Sequence, residues 1–551
     1  MRVGQPPRVA AGGPAGLQRA GVQQRPTVPE RLAQARVRLA ADQRGAGSSD
    51  APALASRDNG GMEDVTVCIV SVLSLVLFEL VTAAGAAALL VGSSRGFRSS
   101  APWWTRRGDA SCPVLPSNRH DRRATVMTAG PGRTAAPWPV RRAFPLIAVV
   151  VMILIGMAGT IWGPVYYGEQ AWAVPDDLWA TLVAAQRLLH LDLAGLYTAP
   201  TNLISFPGTA VILVPVAVLM DAAGIPIQAG RQGVHPAGWL VAGPLETLIA
   251  AMALFAADAL AERMGVSLLK RFLLAAASAT ALWNVTIRWG HPEDAVAVGL
   301  LLYAALALSD ARPSRAAWLV GAGVAVQPLV LLAFPILAAA IEPRRLPGFL
   351  ARAATPALAL LAAAAAANWT ATIHAITNQP NAPTIDHPTP WIYLTALAPH
   401  MSDGSVAAGP ARALAVAVAC GCGLLTWRRW QTARLVGAWY PDDLAALLWW
   451  IALTLALRTA FEPVMVSYYV WPPLAVALVA ASRDWIRLLP ATVTVTVLTF
   501  LAQGSWRNPW VWWTPIVLVL ALTLAVTRPR RSPAAQVLPE PGEQFVADGT
   551  P

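Results

Sequence analysis

The sequence predicts an all-α, polytopic transmembrane protein, with about eleven to thirteen helices after Ala143. Three observations carry that expectation. Of 551 residues, 56% are hydrophobic and only 13% charged, against about 25% charged in an average soluble domain. The mean hydropathy is +0.50. The apolar residues fall in blocks near the ~20 residues that a helix needs to cross hydrocarbon, where backbone N–H and C=O groups must pair within the chain. A water-soluble enzyme and a predominantly disordered chain are both excluded.

Along the chain, residues 1–62 are rich in Ala, Gly, Arg, Gln and Pro without sustained periodicity and read as a disordered leader. Residues 63–142 hold one apolar stretch, Val65 to Val91, long enough to span although Glu79 interrupts it, and then an Arg-rich loop. Met127, just upstream of Arg141-Arg142, is an alternative start, with a poorly ordered extension as the competing reading. Residues 143–531 form the membrane domain, with apolar segments near 143–162, 207–224, 238–259, 272–287, 293–309, 316–341, 349–367, 408–426, 441–460, 464–482, 486–501 and 509–527. Gln327-Pro328 and Pro335 break the sixth of these. Residues 532–551 read as a disordered cytoplasmic tail.

The formal charge of +11 would ordinarily suggest a nucleic-acid partner. Its distribution argues against one. Residues 1–142 carry 19 arginines and nine acids, whereas the rest of the chain carries 22 basic and 21 acidic residues. Within the membrane domain, arginines at 141–142, 312–315, 344–352, 428–434, 483–487 and 528–531 mark cytoplasmic ends. Loop 163–206 holds Glu169, Asp176, Asp177 and Asp192 against Arg187 alone, and loop 368–407 has two acids, three histidines and no basic residue, so both face outward. Arg263, Lys270 and Arg271 also read as cytoplasmic, which leaves the number of crossings between the first outer loop and His291 with the wrong parity. Cys420 and Cys422 form a C-x-C in an apolar helix, for which small buried thiols are the simplest account.

Three polar groups stand out. In the first outer loop, Asp176 or Asp177 opens an amphipathic helix marked by Leu178, Leu182, Ala185 and Leu189, as its N-cap or as a carboxylate able to take a proton from an acceptor hydroxyl. Arg288, His291, Glu293 and Asp294 lie within seven residues between two apolar helices, where ionisable groups are costly unless they serve a site. Capping by Pro292 and the two acids accounts for part of this group, but not for Arg288 or His291. His291 with Glu293 or Asp294 could also contribute to a divalent-metal site. Arg458 and Glu462, four residues apart and followed by Tyr468-Tyr469, read either as a helix-surface ion pair or as a guanidinium clamp for phosphate.

The order of these features resembles the GT-C superfamily of membrane glycosyltransferases, most of all its actinobacterial mannosyltransferase-like members. The resemblance covers about Ala143 to Arg531. It rests on the outer loop with Asp176-Asp177, the Tyr197 and Phe206-Pro207 lead, Gly290-His-Pro-Glu-Asp294, the broken Gln327-Pro328…Pro335 segment, and Tyr468-Tyr469…Pro472-Pro473. It implies a polyprenyl-phosphate-sugar donor, a lipid or glycan acceptor reached from the bilayer, inversion, a plasma-membrane location with extracytoplasmic site loops, and Asp176 or Asp177 as catalytic base. Arg288, His291 and Arg458 would then bind the donor phosphate, with Glu293, Asp294, Gln327, Tyr468 and Tyr469 in support. Related enzymes often have a lysine where this chain has Gln327. A multi-pass transporter or lipid flippase is the alternative, and would need mid-membrane ionisable groups, for which Asp221, Glu246 and Asp258 are the candidates.

Overall fold

Prolines set many of the helix starts. Pro207, Pro236, Pro292, Pro313, Pro410, Pro441 and Pro509 each occupy the first position of a helix, where the missing N–H would have had no intrahelical acceptor and the fixed φ is already helical. The computed structural model describes residues 137–530 except 167–171, 173–176, 199–200, 202, 204, 228–235, 378–385, 396–405, 407–408, 434–440 and 505–507. The readings made for residues 1–62, for Val65–Val91, for Met127 and for the tail 532–551 lie outside the described residues, as does Asp176.

Helices make up 82% of the described residues and strands 2%. Every apolar segment expected after Ala143 contains helix. Seven are long and apolar enough to cross a membrane: Ala143–Trp162, Gly238–Arg263, Pro292–Ser309, Pro343–Ala367, Pro410–Trp430, Pro441–Phe461 and Pro509–Thr527. The others are shorter, because prolines, glycines and turns interrupt them. The 316–341 segment breaks where expected: a helix Pro313–Val326 stops at Gln327, which is extended (φ −145°), and a 3-10 turn Pro328–Leu332 and a short helix Phe334–Ala339 follow. Cys420 is exposed on its helix rather than buried, because it shares the outward face with Leu424 and Leu425.

Arginines lock one end of the helical body. Arg142 and Arg271 converge on Asp258, at 2.9 and 2.6 Å, and Asp258 is only 3% exposed. Arg141 and Arg142 bond Glu262, Arg263 pairs with Asp310, Lys270 donates to the Arg483 carbonyl, and Arg483 pairs with Asp442. Removing one member of such a buried group typically costs about 3–5 kcal/mol, because it strands an uncompensated charge. Asp258 is therefore a fastener, and the mid-membrane role that the transporter reading would give it does not fit its partners.

From this lock the helix Leu268–Trp283 and the turn after it run to Gly290, about 30 Å away at helical rise. The helix Pro292–Ser309 returns to Asp310, back at the lock. Gly290 thus marks the opposite end, and the first loop gathers there. The helix Asp177–Leu189 starts with Leu178 against Gly290. The helix Pro207–Ala222 starts where Thr209 Oγ1 donates to the Val326 carbonyl at 2.6 Å, and Gly208 passes so close to Ala325 that a Cβ would sit 2.2 Å from its carbonyl oxygen. Just beyond its far end, Ile225 lines Gly238 together with Trp179. Both ends of the Pro207 helix lie away from the arginine lock, so segment 207–224 returns to the end it left. This corrects the count of crossings and removes the parity conflict at Arg263.

Candidate functional site

The first turn of the Pro292 helix is placed by the chain that precedes it. The Leu268 helix widens into a π-turn at Asn284–Arg288, a distortion often found at functional sites. Gly290 then adopts φ +61°, a conformation open to glycine at little cost. His291 N bonds the Val285 carbonyl at 2.9 Å and Pro292 begins the next helix. The reversal carries His291, Glu293 and Asp294 into the protein, at 7%, 6% and 0% exposure.

Neither acid caps the helix with its side chain. Glu293 Oε1 lies 2.6 Å from His291 Nδ1, within hydrogen-bonding distance. Asp294 Oδ1 accepts from Gln327 Nε2 at 2.7 Å, and its Oδ2 is buried with no hydrogen-bond partner among the described residues. The amide at 327 thus holds the carboxylate without neutralising it. Tyr468 stacks on His291 with ring centroids 4.0 Å apart, and Tyr469 meets Tyr468 edge-on at 4.9 Å. The Arg458 guanidinium lies 3.5 Å over the Tyr469 ring, close enough for a cation–π contact.

Arg458 and Glu462 do not form the i,i+4 surface pair. The helix Pro441–Phe461 ends before Glu462, which is 4% exposed and bonds Arg412 Nε at 2.6 Å. Thr389 holds the Glu462 carbonyl at 2.6 Å, and His387–Pro388 pairs antiparallel with Val464–Met465. Residues His387–Thr389 therefore hold this segment down, and His387 stacks on Trp512 at 4.4 Å. The acidic groups facing Arg458 are Asp294 and Glu462, and its Nη1 is buried with no hydrogen-bond partner among the described residues. An unpartnered guanidinium nitrogen sealed from water, on a side chain that is itself half-buried, is a place for an anion.

One contact ties the first loop to this cluster. Trp172, fully buried at φ +62°, donates its N–H to the Ile287 carbonyl at 2.7 Å and its Nε1–H to Thr247 Oγ1 at 3.2 Å. Its ring fills a slot made by two glycines: a Cβ would fall 2.6 Å from it at Gly156 and 2.1 Å at Gly243. Valine at 243 has to expel the indole, an aromatic side chain whose burial is worth about 3–5 kcal/mol. Gly243→Val is expected to speed exchange of the Trp172 amide by at least ~100-fold. Hydrogen-exchange mass spectrometry checks this, and unchanged exchange would show that Trp172 is held by something else.

Of the residues singled out from sequence, His291, Glu293, Asp294, Gln327, Arg458, Tyr468 and Tyr469 form one connected cluster. Arg288 ends the adjoining π-turn, half-buried and in no ion pair among the described residues. Asp177 opens its helix one residue before Leu178 reaches Gly290, but its side chain lies outside the described residues, as does Asp176. Tyr197 donates to the Ser205 carbonyl, and burial raises its phenol well above the usual range. Among the described residues no group of three His, Cys, Asp or Glu side chains is placed to hold a metal ion. Sequence reasoning missed Trp172 and Arg412 as site residues. It read Glu246 only as a transporter candidate, although both Glu246 oxygens are buried beside Glu293 and His291 without a partner among the described residues. No protein-family model matches the chain, and no curated protein matches it.

Proposed function

We propose that this chain is an integral membrane glycosyltransferase that moves a hexose, mannose foremost, from a polyprenyl-phosphate donor to a lipid or glycan acceptor at the extracytoplasmic face. The observation that carries the reading is the buried Arg458 donor beside Asp294, set in the His291–Tyr468–Tyr469 stack at the end where the first acidic loop docks. An inverting transfer needs a base on the acceptor hydroxyl and positive charge at the departing phosphate. Asp176 or Asp177 takes the hydroxyl proton as that oxygen bonds to the anomeric carbon. The electron pair of the breaking C–O bond leaves with the polyprenyl phosphate, towards Arg458 and Arg288.

The transporter alternative draws less support. Of the three candidate acids, Asp258 is held in ion pairs at the arginine end, Asp221 is exposed, and Glu246 has no partner among the described residues. Incubation of the purified full chain with radiolabelled polyprenyl-phosphate mannose and a membrane-lipid extract tests the proposal. Label is expected to move from the donor to a new lipid-soluble or glycan product.

A further inference from the structure

Glu246 sits in the helix Pro236–Ala250, 1% exposed, with neither carboxyl oxygen bonded to any donor among the described residues. A carboxyl group sealed from water without partners is destabilising whether it is charged or neutral. Such a group persists where a ligand supplies what the protein does not. Trp172 Nε1–H, which reaches the next residue of this helix, donates to Thr247 Oγ1 and not to Glu246. The charged and titratable groups facing Glu246 are Glu293 and His291, so its carboxyl belongs to the same polar cluster as Asp294 and Arg458. Its own helix turn also carries Gly243 and Thr247, which seat Trp172 of the first loop.

We propose that Glu246 is a binding residue of this site, accepting hydrogen bonds from adjacent hydroxyls of a hexose ring. The inference rests on the glycosyltransferase reading and divides the work within it. Arg458 faces the phosphate, whose oxygens only accept hydrogen bonds, and Glu246 faces the sugar, whose hydroxyls can donate them. Two oxygens on one carbon suit two neighbouring hydroxyls, the bidentate geometry that carboxylates favour with paired donors.

Two measurements on the detergent-purified full chain test this. In the first, octyl mannoside and octyl phosphate are titrated against wild type, Glu246→Gln, Glu246→Leu and Arg458→Ala. Loss of two hydrogen bonds to a buried carboxyl corresponds to about 10- to 100-fold in affinity. The Glu246 variants should lose that much for octyl mannoside and keep wild-type affinity for octyl phosphate, and Arg458→Ala should do the reverse. The second is thermal unfolding without ligand. If Glu246 awaits a ligand, Leu leaves the midpoint unchanged or raises it, because it removes an unsatisfied group, and Gln, which keeps a polar group there, leaves it near wild type. A midpoint lowered in both variants means that bound water or the protein itself satisfies Glu246, and overturns the inference. Octyl phosphate bound through Arg458, with mannoside affinity indifferent to Glu246, also overturns it while the glycosyltransferase reading stands. Failure of wild type to bind either amphiphile removes both.

Discussion

Replacing the correct one of Asp176 and Asp177 by asparagine is expected to abolish sugar transfer, with a loss of at least ~10²–10⁴-fold, the range that a positioned general base supplies. Asparagine keeps the size of the side chain and its capacity to cap a helix, so the helix Asp177–Leu189 should still form and the thermal midpoint should move little. Only the ability to take a proton is lost. Leu178 rests on Gly290, one residue before His291. The start of the helix is therefore at the cluster rather than on a remote face. Initial rates of label transfer for the two single variants check this. The second variant should keep most of the activity, which separates base from cap. If both retain wild-type rates, the base lies elsewhere, and the first loop has only a structural part.

Arg458→Ala is expected to lower transfer by about 10²–10³-fold, the effect of removing one preorganised donor from a developing anion. Arg458→Lys should recover little, because an ammonium cannot lie flat on the Tyr469 ring and also offer two parallel N–H groups. The loss should appear in kcat as well as in KM, since charge on the phosphate oxygen grows as the bond to the sugar breaks. A structural role predicts a different pattern. Arg458→Ala would then lower the thermal midpoint strongly while kcat of the remaining folded protein stays near wild type. Glu462 already has Arg412 as a partner, so removing Arg458 leaves that carboxylate paired and limits the folding penalty.

Much of the architecture was legible in the sequence because hydrophobic length is a strong signal. The apolar segments after Ala143 contain helix, and Gln327-Pro328 breaks one of them as its sequence suggests. Segment 207–224 misled because length and composition say nothing about where each end is tied. Its path is set by Thr209 on the Val326 carbonyl and by Ile225 beside Trp179, contacts between residues far apart in the chain. At the site, His291, Glu293 and Asp294 were visible because charges are rare in apolar surroundings.

Their pairings were less visible. Glu293 turns back two residues to His291, whereas Asp294 reaches 33 residues ahead to Gln327. The i,i+4 rule failed for Arg458 and Glu462 because the helix ends at Phe461 and Arg412 arrives from 50 residues away. The slot for Trp172 depends on Gly156 and Gly243, two unremarkable glycines in apolar runs. Nothing in spacing marks either of them. Glu246 did carry a signal, an acid inside an apolar helix, but its lack of partners among the described residues is a three-dimensional fact.

The central claim is that the Arg458–Asp294 cluster, with the first acidic loop above it, transfers sugar from a lipid phosphate. Label transfer by the purified full chain from radiolabelled polyprenyl-phosphate mannose, measured beside Arg458→Ala, tests it most directly. The predicted result is a labelled product and free polyprenyl phosphate in equal amounts with wild type, and nearly none with the variant. Donor left intact by folded wild type, across polyprenyl-phosphate hexoses and membrane acceptors, would contradict it.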